Sequence, residues 1–77
     1  MWIKTQDEMK AVNCSGFYLT EAKRNSDEAL IMGRPVDGSE EVVLGRFETM
    51  KEAKEIFDRA FRAAIHDQSY DVPKKAH

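Results

Sequence analysis

The clearest pattern of apolar and polar positions lies between Glu41 and His66. An apolar run, Val42-Val43-Leu44-Gly45-Arg46-Phe47, leads into a stretch where Ala53, Ile56, Phe57, Ala60, Phe61, Ala64 and Ile65 recur at i, i+3, i+4, i+7, i+8, i+11 and i+12. That spacing follows one face of an α-helix and predicts a helix from Met50 to about His66. Thr49 is the natural N-cap, its hydroxyl accepting from the amide three residues on, and Glu52 stands where a capping box places its acid. Such a stripe needs a sheet to lie on, and Phe57 and Phe61 are expected to be buried against it.

The sheet is legible upstream. Residues 1–5 (Met1-Trp2-Ile3-Lys4-Thr5) favour extended structure until Gln6-Asp7-Glu8 breaks it. A second strand covers residues 16–20, with Val12 as its earliest start. Arg24-Asn25-Ser26-Asp27 is a turn by composition, and residues 29–34 form a third strand. Pro35-Val36 then leads to Asp37-Gly38, a strong hairpin dipeptide, and residues 41–47 return. The order is ββββα. It predicts an α+β fold with a four-stranded, mainly antiparallel sheet and one C-terminal amphipathic helix on one face. Residues 1–66 form the domain, and residues 67–77 form a C-terminal tail from which Tyr70 and Val72 can fold back. Ile31-Met32-Gly33-Arg34 and Val43-Leu44-Gly45-Arg46 share a pattern across the hairpin, and paired glycines there point first to bulges or close packing.

One helix covers one face of a sheet, so each strand should alternate apolar and polar residues. Ala29 to Met32 and Val42 to Leu44 do not alternate, and Trp2-Ile3 and Phe17-Tyr18 add neighbours that point opposite ways. Apolar side chains are therefore left on the reverse face. Trp2, Leu30, Ile31, Met32, Val42 and Leu44 are the candidate interface residues, with self-association or an unknown protein partner as the expectation and cover by the tail as the plain alternative.

Composition narrows the picture. A chain of 77 residues is sized for one domain with modest burial. It is too apolar, at 42%, for a disordered chain, and its longest apolar run, Ala29 to Met32, is too short to span a membrane. No signal-peptide pattern is present and the single cysteine, Cys14, cannot close an internal disulfide, so a reducing cytoplasm is the expected address. Twelve basic against fourteen acidic residues give a net charge of -2, which offers nucleic acid no general attraction.

Candidate chemistry is sparse. His66 at the helix end is accounted for as a cation near a helix C-terminus, and His77 closes the chain. A Cys14–His66 pair carries no recognisable spacing, and the two histidines and one cysteine lack the spacing of a metal site. Glu55 with Arg59 and Asp58 with Arg62 are spaced for i, i+4 ion pairs on a solvated helix face. No glycine-rich loop opens the helix to hold a phosphate. Catalytic, cofactor and metal residues are therefore expected to be none. Trp2, Phe17, Tyr18 and Phe47 supply aromatic faces for base stacking, with Arg34 and Arg46 for phosphates, but the mixed charges of the helix argue against nucleic acid as a partner.

The Met1-Trp2-Ile3-Lys4-Thr5 opening, Val12-Asn13, and Val43-Leu44-Gly45-Arg46-Phe47-Glu48-Thr49 leading into Glu52-Ala53-Lys54-Glu55 resemble a group of small uncharacterised proteins of low-GC Gram-positive bacteria and their phages. The match covers both ends of the folded part. It differs from the group's pattern at Cys14, usually aliphatic there, and in the length after Ile65. The resemblance implies a fold and a bacterial or phage cytoplasmic setting, and no activity. The expected function is a non-enzymatic protein-interaction or regulatory module that forms a homodimer. A nucleic-acid-associated accessory protein is the alternative, and a small enzyme comes third.

Overall fold

Strand β2, Ala11–Glu21, organises the molecule, because its two halves pair with different neighbours. A computed structural model describes residues 1–24 and 26–75; Asn25, within the expected turn, and His77 lie outside them. The first half of β2 runs antiparallel to β1 (Trp2–Lys4), with Ile3 opposite Val12. Its second half runs antiparallel to β3 (Ala29–Pro35), with Leu19 opposite Ile31. Between the halves the register slips from Cys14 to Gly16, and an extra residue of this kind bends a strand. Strand β4 (Val42–Phe47) pairs antiparallel with β3, and β5 (Tyr70–Asp71) pairs parallel with β1, so the order is β4-β3-β2-β1-β5. Helix α1, Met50–Ile65, packs on β2, β3 and β4. The α+β fold and the ββββα order are as expected, with a fifth strand added at the edge.

The local signals work as their chemistry requires. The Thr49 hydroxyl accepts from the Glu52 amide at 3.1 Å. Gly38 adopts a φ of 81° in the hairpin, where Asp37 Oδ1 accepts from the Ser39 amide at 2.9 Å. The helix stops in a way composition did not announce. Asp67, at φ 54°, takes the left-handed position that glycine usually fills, and the amides of Asp67 and Gln68 donate to Ala64 and Ala63. That reversal aims the chain back at β1. The segment expected to be a tail therefore delivers Tyr70 to the sheet edge and Val72 into the core, where it is 6% exposed. It does not cover the reverse face.

The edges of the sheet are tied together by one residue. The Gln6 amide donates to the Leu44 carbonyl at 2.8 Å, and its side-chain Oε1 accepts from the Arg46 amide at 2.8 Å. Its Nε2 donates to the carbonyls of Arg46 (3.0 Å), Pro73 (3.2 Å) and Lys74 (3.2 Å). Two hydrogens serve three acceptors, so one is shared. The turn after β1 thus meets β4, the far edge of the sheet, and the sheet is rolled.

Inside the roll lie Ile3, Cys14, Ala29, Ile31, Leu44, Phe47 and Val72, closed by Ala53 and Ile56 of the helix. Buried Thr5 is satisfied, donating to Asp7 Oδ1 at 2.6 Å and accepting from the Lys10 amide at 3.2 Å. The glycine pattern has a packing origin, but the two glycines do not face each other: Gly33 lies opposite Val42, and Gly45 opposite Ile31 beside a register shift. A Cβ on Gly33 would come within 2.9 Å of Cys14 Sγ and Leu44 Cδ1, and one on Gly45 within 2.8 Å of Val72 Cγ1. The register shift also turns both Leu44 and Gly45 inward, which explains part of the broken alternation in β4.

The helix stripe is only partly buried. Ala53, Ile56 and Ala60 face the core, Phe57 is half-buried with its ring edge-on to Phe17 at 5.4 Å, and Phe61 is 53% exposed. The expectation that Phe61 docks against the sheet is corrected. Two alanines bring the helix axis close along one line, and positions at i+4 drift around the helix by about 40° per step, so Phe57, Phe61 and then Ile65 move progressively off the contact.

Two stability tests follow. Gln6→Ala should lower stability by about 1–2 kcal/mol in urea unfolding, and Gln6→Glu should be worse, because a carboxylate would face three carbonyls that now receive hydrogens. Gly33→Ala should cost about 1–3 kcal/mol through overpacking. Gly16→Ala, with open space around the new methyl, should change stability by no more than about 0.5 kcal/mol.

Candidate interaction surfaces

The six expected interface residues divide into three places. Ile31 and Leu44 are each 1% exposed and belong to the core, so neither offers surface to a partner. Leu30 and Met32, half-buried, lie on the outer face of β3, paired with Thr20 and Tyr18 on one side and with Arg46 and Val43 on the other. Trp2, 56% exposed, and Val42 come together in a groove of about 420 Å³ that also includes Val12, Pro35 and Val36.

The outer face is dressed by long polar side chains. The Arg34 guanidinium lies 5.3 Å from the centre of the Tyr18 ring, and its Nε is 3.5 Å from Glu41 Oε2. Arg46 Nη1 is 3.7 Å from Glu28 Oε2, an otherwise unbonded buried oxygen. Arginine stems laid over apolar neighbours keep such a face compatible with water. Both cations offered by the sequence for phosphate contact are thus matched by carboxylates. The aromatic residues do not form one platform either. Phe47 is in the core and Phe17 packs against Phe57, while Trp2 is exposed and Tyr18 carries Arg34.

Titratable groups report the same geometry. The Tyr18 phenol is raised above its ordinary value of 10.0, first by its hydrogen bond to the Glu41 carboxylate and then by burial, against the opposing pull of Arg34. Burial raises the Cys14 thiol, which the N-terminal ammonium only partly offsets, and the sulfur is sealed in the core. Burial also raises Tyr70, with Arg59 of the helix opposing it. Arg59 is therefore turned to Tyr70. The i, i+4 pairs expected on the helix do not form: among the described residues the ion pairs are Arg34–Glu41 and Arg46–Glu28. A cleft of about 670 Å³ beside β5 mixes Lys4, Lys74 and Lys75 with Glu8 and Asp71, a lining of both signs. Among the described residues no cluster of His, Cys, Asp or Glu has the geometry to hold a metal, and no helix is long and apolar enough to cross a membrane.

The surface that sequence reasoning missed is the flank of α1. Phe61 and Ile65, 53% and 61% exposed, continue the line of half-buried Phe57, whose ring meets half-buried Phe17. The signal was present in the stripe itself. Seven apolar positions over i to i+12 subtend a wider arc than contact with one sheet face can bury. On one rim of this flank stand Asp58 and Arg62, exposed and one turn apart. Comparison with protein-family models, with curated proteins and with solved structures returned no match, so geometry alone carries the functional reading.

The Tyr18 array makes a pH prediction. A raised phenol pKa in the folded state contributes stability at pH below the unfolded value, and that contribution is lost as pH rises through the folded one. Glu41→Ala should therefore shift the Tyr18 titration back toward its ordinary range, read from phenolate absorbance in a Tyr70→Phe background. An unmoved midpoint would detach Tyr18 from Glu41.

Proposed function

We propose that this chain is a non-enzymatic protein-docking module that engages its partner through the helix flank of Phe57, Phe61 and Ile65. The observation that carries the reading is the exposure of Phe61 and Ile65, two large apolar side chains one turn apart on a docked helix. Scattered apolar residues on a surface need no explanation, but a strip running from a half-buried aromatic pair to largely exposed side chains is what interaction sites look like. A regular helix also presents them at fixed spacing, so a partner meets a preformed surface and little ordering is needed on binding.

Burial of Cys14 supports the non-enzymatic side of the proposal, since a nucleophile must reach its substrate as a thiolate. The nucleic-acid alternative loses support from the carboxylates that hold Arg34 and Arg46 and from the division of the aromatic residues between surface and core.

A photoreactive phenylalanine analogue in place of Phe61, in the full chain expressed in its own host, should give polypeptide adducts on irradiation. The same analogue in place of Leu30 on the outer face should give few. Adducts at position 61 that disappear with nuclease, or no adduct there at all, would overturn the proposal.

A further inference from the structure

We infer that the occupant of this flank is a second copy of the chain, its α1 antiparallel to the first across a two-fold axis. The inference rests on the reading of the flank as a docking surface and adds the identity of what binds. Its basis is charge complementarity of the flank with itself. Asp58 and Arg62 stand on the same rim of α1, both exposed, and among the described residues neither is held by an ion pair. A two-fold axis between antiparallel helices places like rims together and reverses their direction. If the axis passes at the level of Ala60, midway between the two charges, Asp58 of each copy meets Arg62 of the other, and two identical pairs form.

The same axis arranges the apolar residues. Phe61 lies one residue from the axis level, about 1.5 Å along the helix, so the two Phe61 rings meet at the centre. Phe57 falls at the level of residue 63 of the other copy, beside Ala64, which lies on the same edge of the strip and whose small side chain leaves room for the ring. Lys54 reaches the level of the other helix's C-terminus, the negative end of the helix dipole, which favours a cation. A partner of one charge sign would leave either Asp58 or Arg62 facing its like. A second copy satisfies both. Half-buried Phe17, edge-on to Phe57, extends the strip beyond the helix itself.

Sedimentation equilibrium of the full chain from micromolar to submillimolar concentration should show a monomer–dimer equilibrium. Phe61→Lys and Ile65→Lys should each be monomeric and, since both positions are largely exposed, should keep the parent's circular dichroism. Reversing one charge, Asp58→Arg, should weaken the dimer about tenfold or more by setting arginines against each other. The double reversal Asp58→Arg with Arg62→Asp should recover most of that loss, which a merely hydrophobic or differently placed contact would not show. A parent that stays monomeric, a dimer indifferent to Phe61→Lys, or a double reversal no better than the single one would overturn the inference. Cross-linking separates this failure from that of the docking proposal. A monomeric parent whose position 61 still captures a different polypeptide rejects the second copy alone, whereas one that captures nothing rejects both.

Discussion

Closure of the rolled sheet depends on the side chain of Gln6. A five-stranded sheet ordinarily ends in two edges, each a row of unpaired donors and acceptors. Here the edge at β4 receives a backbone bond from Gln6 to Leu44 and a two-way amide exchange with Arg46, and the same carboxamide reaches the chain at Pro73 and Lys74 beyond β5. The two ends of the strand order are brought to one residue. Val72 can then lie against Gly45, and the core is enclosed by the sheet on more than one side. The bend in β2 makes the roll possible, and Gln6 holds it shut.

Enclosure changes what the helix must do. A flat sheet needs a broad apolar helix face to cover it, whereas a rolled one needs a narrow plug. Ala53, Ile56 and Ala60 supply that plug, and the short alanine side chains let the helix approach closely. The remaining apolar positions of the stripe have no sheet beneath them. Surface left over on α1 is thus a consequence of curvature at the sheet, a link that runs from the register slip at Cys14 and Gly16 to the exposure of Phe61.

Much of the fold was legible because its signals are local. The cap at Thr49, the glycine turn after Asp37, and the third and fourth strand runs all act within a few residues and stand where the sequence placed them, whereas β2 begins at Ala11, before the earliest start read for it. The fifth strand was not legible, because the turn that sends it back uses Asp67 in a conformation that usually announces itself by glycine. Gln6 was read as part of a strand-breaking run, since nothing local reveals that a side chain will be stitched to residues forty and more positions away. The interface candidates fared unevenly for a related reason. Parity along a strand tells which residues share a face, but the register shift beside Gly45 resets parity in β4, and the choice of inner face belongs to the helix. Ile31 and Leu44 went to the core on those two grounds. The expected Glu55–Arg59 pair failed because Arg59 has a tertiary partner in Tyr70, which spacing within one helix cannot foresee; nothing in the structure explains the absence of the Asp58–Arg62 pair.

The residues at positions 61 and 65 are hard to explain by the needs of an isolated monomer. Phenylalanine and isoleucine are weaker helix formers than lysine, glutamate or alanine, so exposed helix positions are better served by those residues on local grounds. Burial does not compensate, for Phe61 and Ile65 remain mostly open to water while the plug of Ala53, Ile56 and Ala60 is already complete. Two large apolar side chains one turn apart also favour non-specific association, which the surrounding charges of the helix only partly oppose. Local preference, core packing and solubility all favour other residues at these two sites. An intermolecular contact, as proposed, would reverse all three arguments at once: it would supply the burial, turn the association from non-specific to specific, and make the modest loss of helix propensity small beside the apolar area removed from water.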